Sequence, residues 1–318
     1  MPGSSTARLQ TPKVILGGNV FGWSLDDKAS SAILDAAVES GLNCFDTADV
    51  YSHWASGNKG GESETIIGNW MKRTGKRKDV LIHTKGGAPG APGEFANAKL
   101  TATYLTKAVE GSLRRLQTDH IDLYYVHYDD KVTPPEETLA CFQGLIKQGK
   151  LKAIAASNYA PERLIQALDV AASKGLPAFF ALQTLYNLYE REPFESTLQA
   201  LCQKRNVEVF TYFSLAHGFL SGKYRTEADR SKSVARGGGI TKYLNPRGLR
   251  ILDALDAVSR ARGATSAQVA LAWLLTRPAV GAAVASATNL QQLQDLAAAT
   301  RLQLKAGELV ALDHASAP

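Results

Sequence analysis

Seven short apolar runs of this chain each end on a polar or ionisable residue: Asp46, Lys85, His127, Ser157 with Asn158, Gln183, Tyr212 and Ser286. A carboxylate, an amine and an imidazole stand among them, and from such groups proton-transfer catalysis is assembled. One polar residue after a strand merely begins a loop. Seven at the same end of successive strands point to a shared site, because α/β barrels build theirs at the C-terminal ends of the strands. Three competing chemistries lack their motif. No GxGxxG follows a strand, so a doubly wound dinucleotide fold is unsupported. Gly218-Phe219-Leu220-Ser221-Gly222-Lys223-Tyr224 is one residue short of a P-loop, with Tyr224 where magnesium needs Ser or Thr. His53, His83, His120, His127, His217 and His314 show no HxxxH or HExxH spacing, and no metal is expected.

The elements that must position these residues alternate along the whole chain. Expected strands are Val14–Leu16, Asn43–Asp46, Val80–Lys85, Ile121–His127, Ala153–Ser157, Phe179–Thr184, Val207–Tyr212 and Ala282–Ala285. Between them, helices are expected near Lys28–Ser40 (stopping at Gly41), Glu62–Arg73, Ala102–Leu116, Pro135–Lys147, Pro161–Ser173 and Pro193–Arg205. Further helices follow near Pro246–Arg262, Ser266–Leu275 and Leu290–Ala299. Pro135, Pro161 and Pro193 suit first helical turns, where the missing N–H costs nothing. Leu164, Leu168 and Val170 give the fifth helix an inward face. Strands alternating with helices imply parallel βαβ units. Eight of them fit a (β/α)8 TIM barrel, with residues 1–318 as one domain and a long loop after strand seven. Within that loop, Ser231–Gly239 reads as a mobile segment or lid.

The composition, 45% hydrophobic and 21% charged, is that of a globular protein with a sizeable core. No apolar run approaches the roughly 20 residues that span a bilayer, and the opening MPGSSTARLQTPK lacks the apolar stretch of a secretory signal. Cys44, Cys141 and Cys202 form an odd, widely spaced set, expected to be free buried thiols in a reducing compartment, the cytoplasm. The net charge of +6 suits an anionic cofactor or substrate and does not indicate nucleic acid. The densest basic run, Lys72 to Lys78, reads as a solvated helix end, where positive side chains meet free carbonyls.

Gly41-Leu42-Asn43-Cys44-Phe45-Asp46-Thr47-Ala48-Asp49-Val50-Tyr51 resembles the aldo-keto reductase signature G-[hydrophobic]-[N/T]-x-[F/I]-D-T-A-x-x-Y. Similar matches follow in the family's order: Gly61-Glu62-Ser63-Glu64, Thr84-Lys85-Gly86, Leu123-Tyr124-Tyr125-Val126-His127 and Ser157-Asn158-Tyr159. Gln183 to Asn187, Ser221 to Tyr224 and Ala267 to Trp273 complete a resemblance that covers essentially the whole chain. The long loop after strand seven looks closest to the bacterial and potassium-channel-β-like branches.

The resemblance implies an oxidoreductase that reversibly reduces an aldehyde or ketone, with a tetrad of Asp46, Tyr51, Lys85 and His127. Tyr51 would give the proton, Lys85 would favour its phenolate, and Asp46 would hold Lys85. His127 would orient the carbonyl as a neutral ring. Such donors are needed because arriving hydride builds negative charge on the carbonyl oxygen. Without the surrounding signatures, Asp46 and Lys85 would read as an ordinary buried ion pair and Tyr51 as packing on Trp54.

The same resemblance puts Ser157, Asn158 and Gln183 on a nicotinamide carboxamide and Tyr212 on its ring. Phe213, Ser214, Leu215, Ala216, Gly218 and Lys223 would form the loop over the pyrophosphate, with Arg236 as its basic clamp. Ser286, Thr288, Gln292 and Asp295 match the site for adenosine and its 2′-phosphate, and Gly18, Asn19 and Asp46 complete the cofactor set. Three departures bear on the cofactor. Ser286-Ala287-Thr288 replaces the frequent G-A-R, Asp295-Leu296 replaces E-N, and Tyr212-Phe213-Ser214-Leu215 replaces Y-S-P-L. NADP(H) is expected, because Lys223 and Arg236 supply charge, and NAD(H) is the alternative. Trp23, Trp54, Tyr128 and the Lys223–Asn245 loop would wall a pocket for an apolar or ring-shaped carbonyl compound, or else serve as packing. Two other functions compete. One is an NADP(H)-sensing regulatory subunit, against which His127 stands, since asparagine is usual there in channel-β subunits. A barrel isomerase or lyase would leave the Ser286–Asp295 pattern without a role. Oligomeric state has no signal in the sequence.

Overall fold

The helices begin where the sequence supplies a cap and stop where it supplies a left-handed residue. Side-chain oxygens of Asp26, Thr101, Asn245 and Asn289 accept from backbone N–H groups of the first turns, and Thr265 with Gln268 closes a capping box. Gly75, Gly175 and Gly263 end three helices with positive φ. The computed structural model describes residues 9–89, 99–232 and 237–317.

Eight parallel strands close into a barrel in chain order. They are β1 (Val14–Gly17), β2 (Cys44–Asp46), β3 (Leu81–Gly86), β4 (Ile121–Val126), β5 (Leu151–Ser157), β6 (Ala181–Leu185), β7 (Glu208–Tyr212) and β8 (Val280–Ala285). Closure rests on β1 pairing with β8, Val14 opposite Ala283 and Leu16 opposite Ala285. The single-domain (β/α)8 barrel expected from the alternation is the observed fold. Around it run α1 (Asp27–Glu39), α2 (Glu62–Thr74), α3 (Ala102–Leu116), α4 (Pro135–Lys147), α5 (Pro161–Lys174), α6 (Gln199–Arg205), α7 (Pro246–Arg262), α8 (Ser266–Leu275) and α9 (Leu290–Ala299). A last helix, α10 (Ala306–Ala315), was not expected from the sequence. It shows little amphipathic pattern because polar bonds hold it: Trp273 Nε1 donates to Asp313 Oδ1 at 2.7 Å, and Arg191, Arg247 and Arg250 donate to carbonyls of its last turn.

Each strand is buried on both faces, which explains the near-continuous apolar runs. Outward residues such as Phe45, Ile82 and Val126 pack under the helices. Inward residues Ile15, Leu123, Tyr125, Phe210 and Val284 fill the barrel, with Leu9 packed against them. Several details depart from the sequence expectations. The helix expected from Pro193 passes through a π-helical turn, Phe194–Leu198, before α6. Val170 is only half-buried, and Ala167 and Ala171 complete the inward face of α5 with Leu164 and Leu168. Cys141 is half-buried rather than buried; all three thiols are free. Arg77 of the basic run turns inward, donating to Asp122 at 2.9 Å and to the carbonyls of Val80 and His120. The loop after β7 carries 3₁₀ turns whose Tyr224, Ile240 and Tyr243 are fully buried; its residues 233–236 lie outside the described residues. No described helix is long and apolar enough to cross a membrane.

Helix α2 lies so close to α3 that a Cβ on Gly68 would stand 2.2 Å from the Arg115 carbonyl oxygen. That backbone cannot step aside as a side chain would. Gly68→Ala is therefore expected to lower stability by about 1–3 kcal/mol, read as a lower urea midpoint with an unchanged slope.

Candidate active site

The strand ends place their polar residues around one cavity of about 800 Å³ at the C-terminal face of the barrel. Asp46 ends β2, and Lys85 stands next to last in β3. His127 follows β4 directly, its N–H donating to the Gly86 carbonyl at 2.8 Å. Gly86 has to be glycine here. A Cβ would lie 2.1 Å from the Tyr124 hydroxyl, so this strand end closes against its neighbour only without a side chain.

Lys85 Nζ donates to Asp46 Oδ1 at 2.5 Å, to the Thr47 carbonyl at 2.8 Å and to the Tyr51 hydroxyl at 3.0 Å. All three ammonium protons are thereby used. The other Asp46 oxygen, Oδ2, accepts from Gln183 Nε2 at 2.8 Å. Asp46 and Lys85 are each 1% exposed, so the pair is fully desolvated and each charge depends on the other. Carboxylate and phenol together hold the Lys85 pKa above its ordinary value against burial, the largest influence, which acts downward.

Lys85 favours the Tyr51 phenolate, as expected, but burial acts more strongly in the other direction and raises the pKa above the ordinary tyrosine value. The hydroxyl is thus a protonated group at neutral pH, held against a cation. His127 lies beside it, ring centroids 6.1 Å apart. Burial first, and the Lys85 charge second, push its pKa well below the usual imidazole value. Its Nδ1 is buried and has no hydrogen-bond partner. A neutral ring of this kind offers one N–H and one lone pair.

The remaining expected residues divide by what they already touch. Asn158, with φ of 56°, donates to the His127 carbonyl and accepts from the Tyr212 hydroxyl at 2.7 Å, which sets the pose of the Tyr212 ring on the cavity wall. Ser157, Gln183, Phe213, Leu215, Gly218 and Lys223 also line the cavity. Ser214 reaches it too, and its hydroxyl donates to the Val284 carbonyl at 2.9 Å. Asn19, Ser286, Thr288, Gln292 and Asp295 line the far end. There Ser286 donates to Asn19, Thr288 to Gln292, and Gln268 to Asp295. Gly18 and Ala216 do not reach the cavity wall; Gly18 N–H donates to the Asp46 carbonyl at 2.7 Å. Arg236 lies outside the described residues. Trp54 and Tyr128 line the mouth, and Trp23 sits behind Trp54 in an edge contact of 5.6 Å. Tyr51 does pack on Trp54, at 5.9 Å, alongside its bond to Lys85.

Residues that the motifs did not single out also line the cavity, His53 and His217 among them. The φ angles of Phe213, Ala216 and His217, at 47°, 47° and 57°, are left-handed and concentrated in one loop. Such strain persists where surrounding structure enforces it, usually at ligand sites. One tier below Asp46, Lys85 and His127 lie Cys44, His83 and Tyr125, all fully buried. Their signal in the sequence is the two-residue spacing itself, which keeps a side chain on the same strand face.

Burial pushes the His83 pKa down to about 3, against about 6.5 in the unfolded chain. The unfolded state therefore binds the extra proton first. Stability should be insensitive to this group above about pH 6.5 and fall towards pH 3, by at most about 1.4 kcal/mol per unit. His83→Gln is expected to flatten that acid limb, measured as the slope of urea-unfolding free energy between pH 4 and pH 8; an unchanged slope would contradict a neutral buried ring.

Residues 13–317 match the model of the aldo/keto reductase family. The chain is 31% identical over 300 residues to the Uncharacterized oxidoreductase YrpG of Bacillus subtilis (strain 168), covering 93% of this chain and 89% of that protein. It is 32% identical over 302 residues to the Aldo-keto reductase YhdN of the same organism, covering 94% and 86%. A Probable voltage-gated potassium channel subunit beta of Oryza sativa subsp. japonica shares 30% identity over 287 residues, covering 86% and 82%. With the closed barrel, the strand-end site and a match along nearly the whole length, the chain belongs to the aldo/keto reductase family and is an oxidoreductase.

Proposed function

We propose that this protein reversibly reduces an aldehyde or ketone to the alcohol, with hydride from a nicotinamide dinucleotide and a proton from Tyr51. The observation that carries this reading is the Tyr51 hydroxyl on the Lys85 ammonium at 3.0 Å, at a cavity that His127 also lines. The residues present suit the dinucleotide: a posed aromatic at Tyr212, polar groups at Ser157 and Gln183, and a strained loop from Phe213 to Gly218. When bound, the dinucleotide supplies the hydride that reaches the carbonyl carbon. The chain's own residues manage the oxygen. Tyr51, whose pKa burial raises above the ordinary tyrosine value, holds its proton at neutral pH and releases it as negative charge builds. Lys85 stabilises the phenolate left behind, an interaction stronger in the transition state than in the ground state. Asp46 keeps Lys85 charged and in place. Neutral His127 offers its ring N–H to the carbonyl oxygen.

NADP(H) is the proposed cofactor, with NAD(H) the alternative. Lys223 is the cationic side chain on the described cavity wall beyond Lys85's own site, and the Ser286–Asp295 end holds no arginine. The walls at Trp54 and Tyr128 suit a carbonyl compound with an apolar or ring-shaped tail. A dinucleotide-binding regulatory role is the second reading, favoured by the likeness to channel β subunits.

Tyr51→Phe should slow single-turnover hydride transfer roughly a hundred- to ten-thousand-fold while dinucleotide affinity stays within about threefold. Near-normal transfer in that variant would remove Tyr51 as the acid. A parent protein that binds NADPH yet oxidises it with no member of an aldehyde and ketone panel would favour the regulatory reading. Thr288→Arg should widen the preference for NADPH over NADH by roughly tenfold or more, through a charge-assisted contact with the 2′-phosphate. Tighter NADH binding by the parent in fluorescence titration would overturn the NADP(H) assignment.

A further inference from the structure

The inward faces of the strands differ sharply one tier below the site. Under β5, β6, β7 and β8 the tier is apolar: Ala155, Ala181, Phe210 and Val284. Under β2, β3 and β4 it holds Cys44, His83 and Tyr125, each fully buried. Their polar atoms form a chain. The Tyr125 hydroxyl and His83 Nδ1 are 3.2 Å apart, and His83 Nε2 and Cys44 Sγ are 3.4 Å apart. A neutral imidazole has one N–H. The phenol is a strong donor and the thiol a weak one, so the Tyr125 O–H donates to Nδ1 and Nε2–H to sulfur. Phe210 stacks on the same imidazole, at 6.0 Å and 25°, and fixes its plane. Apolar residues would fill this tier without needing partners, whereas a buried polar trio has to be satisfied throughout.

What the trio supports lies directly above it. The ammonium of Lys85 spends its protons on Asp46, Thr47 and Tyr51, and the Tyr125 ring stands 5.6 Å from Nζ. The Gln183 side chain, bonded to Asp46, also meets the Tyr125 hydroxyl. We propose that Tyr125, anchored by His83 and Cys44, is a positioning residue that holds the Lys85 ammonium in line with the Tyr51 hydroxyl. The ring faces the cation with its negative π surface, and the hydroxyl tether keeps the ring from rotating away. This rests on Lys85 and Tyr51 as the proton-donating pair, but its central measurement requires no turnover.

The test is proton exchange with water at the Lys85 ammonium, followed by ¹⁵N–¹H spectroscopy of lysine-labelled protein, with Lys85→Met assigning the signal. The parent should show a slowly exchanging signal. Tyr125→Leu, which removes ring and tether, should speed exchange by about tenfold. Tyr125→Phe, which removes the tether alone, should speed it by about threefold. Leu123→Ala perturbs the same strand one tier deeper and should leave the signal unchanged. If Tyr125→Leu does not fold, Tyr125→Phe and His83→Leu carry the comparison, each expected to show the smaller acceleration. Absence of the signal in the parent, equal rates in the parent and the Tyr125 variants, or equal acceleration by Leu123→Ala would overturn the positioning role. If the protein proves active, Tyr125→Leu should also lower kcat with little change in KM and shift the alkaline limb of reduction upward, because Lys85 then assists Tyr51 less. A parent without turnover but with the expected exchange pattern would count against the proposed reaction and leave the positioning role standing.

Discussion

A fully desolvated ion pair, Lys85 with Asp46 at 2.5 Å, is the constraint around which this protein is organised. Removing two charges from water costs several kcal/mol for each ion, and Coulomb attraction repays that only when the remaining lone pairs and protons find partners. The barrel supplies those partners from several strands. Gln183 of β6 takes the second Asp46 oxygen, and the Thr47 carbonyl and Tyr51 hydroxyl take the other ammonium protons. Only a closed parallel barrel brings β2, β3 and β6 to a common axis; in an open sheet in chain order, β2 and β6 would be separated by three strands.

Charge and burial then divide the work at the cavity. Burial raises Tyr51 and lowers His127, so both are neutral near pH 7 beside a permanent cation. Lys85 is visible in the motifs as a group that lowers Tyr51, whereas desolvation depends on the folded surroundings. In the structure desolvation is the larger influence, and Lys85 moderates it. The outcome suits an acid: the proton stays in place until charge develops next to it.

The other end of the cavity is built from backbone strain and short tethers. Left-handed Phe213, Ala216 and His217 lie where the chain leaves β7, fixed in part by Ser214 bonding back to Val284. Phe213 stacks on His217 at 3.8 Å, and Phe219 stacks on Tyr243 of the excursion that follows at 5.3 Å. The excursion is anchored to the core at Tyr224, Ile240 and Tyr243, on either side of the Ser231–Gly239 stretch.

The sequence alone carries the order of strands and helices through α9, the prolines of first helical turns and the polar strand ends. Each depends on neighbours within a few positions: a two-residue alternation, a helical period, a proline at a first turn. It also determined the family, through Asp46, Tyr51, Lys85 and His127 in their motifs. Other features depend on residues far apart in the chain and exist only once the barrel has closed. Helix α10 is held by Trp273 and by arginines of other elements, with little periodicity of its own to announce it. The Ser214 hydroxyl is taken up by the Val284 carbonyl of β8. Cys44, His83 and Tyr125 each stand two residues before Asp46, Lys85 and His127, yet nothing local marks them as a connected chain. Their meeting requires β2, β3 and β4 to lie side by side, and hydrogen bonds between strands are set by register, which no single strand's sequence contains.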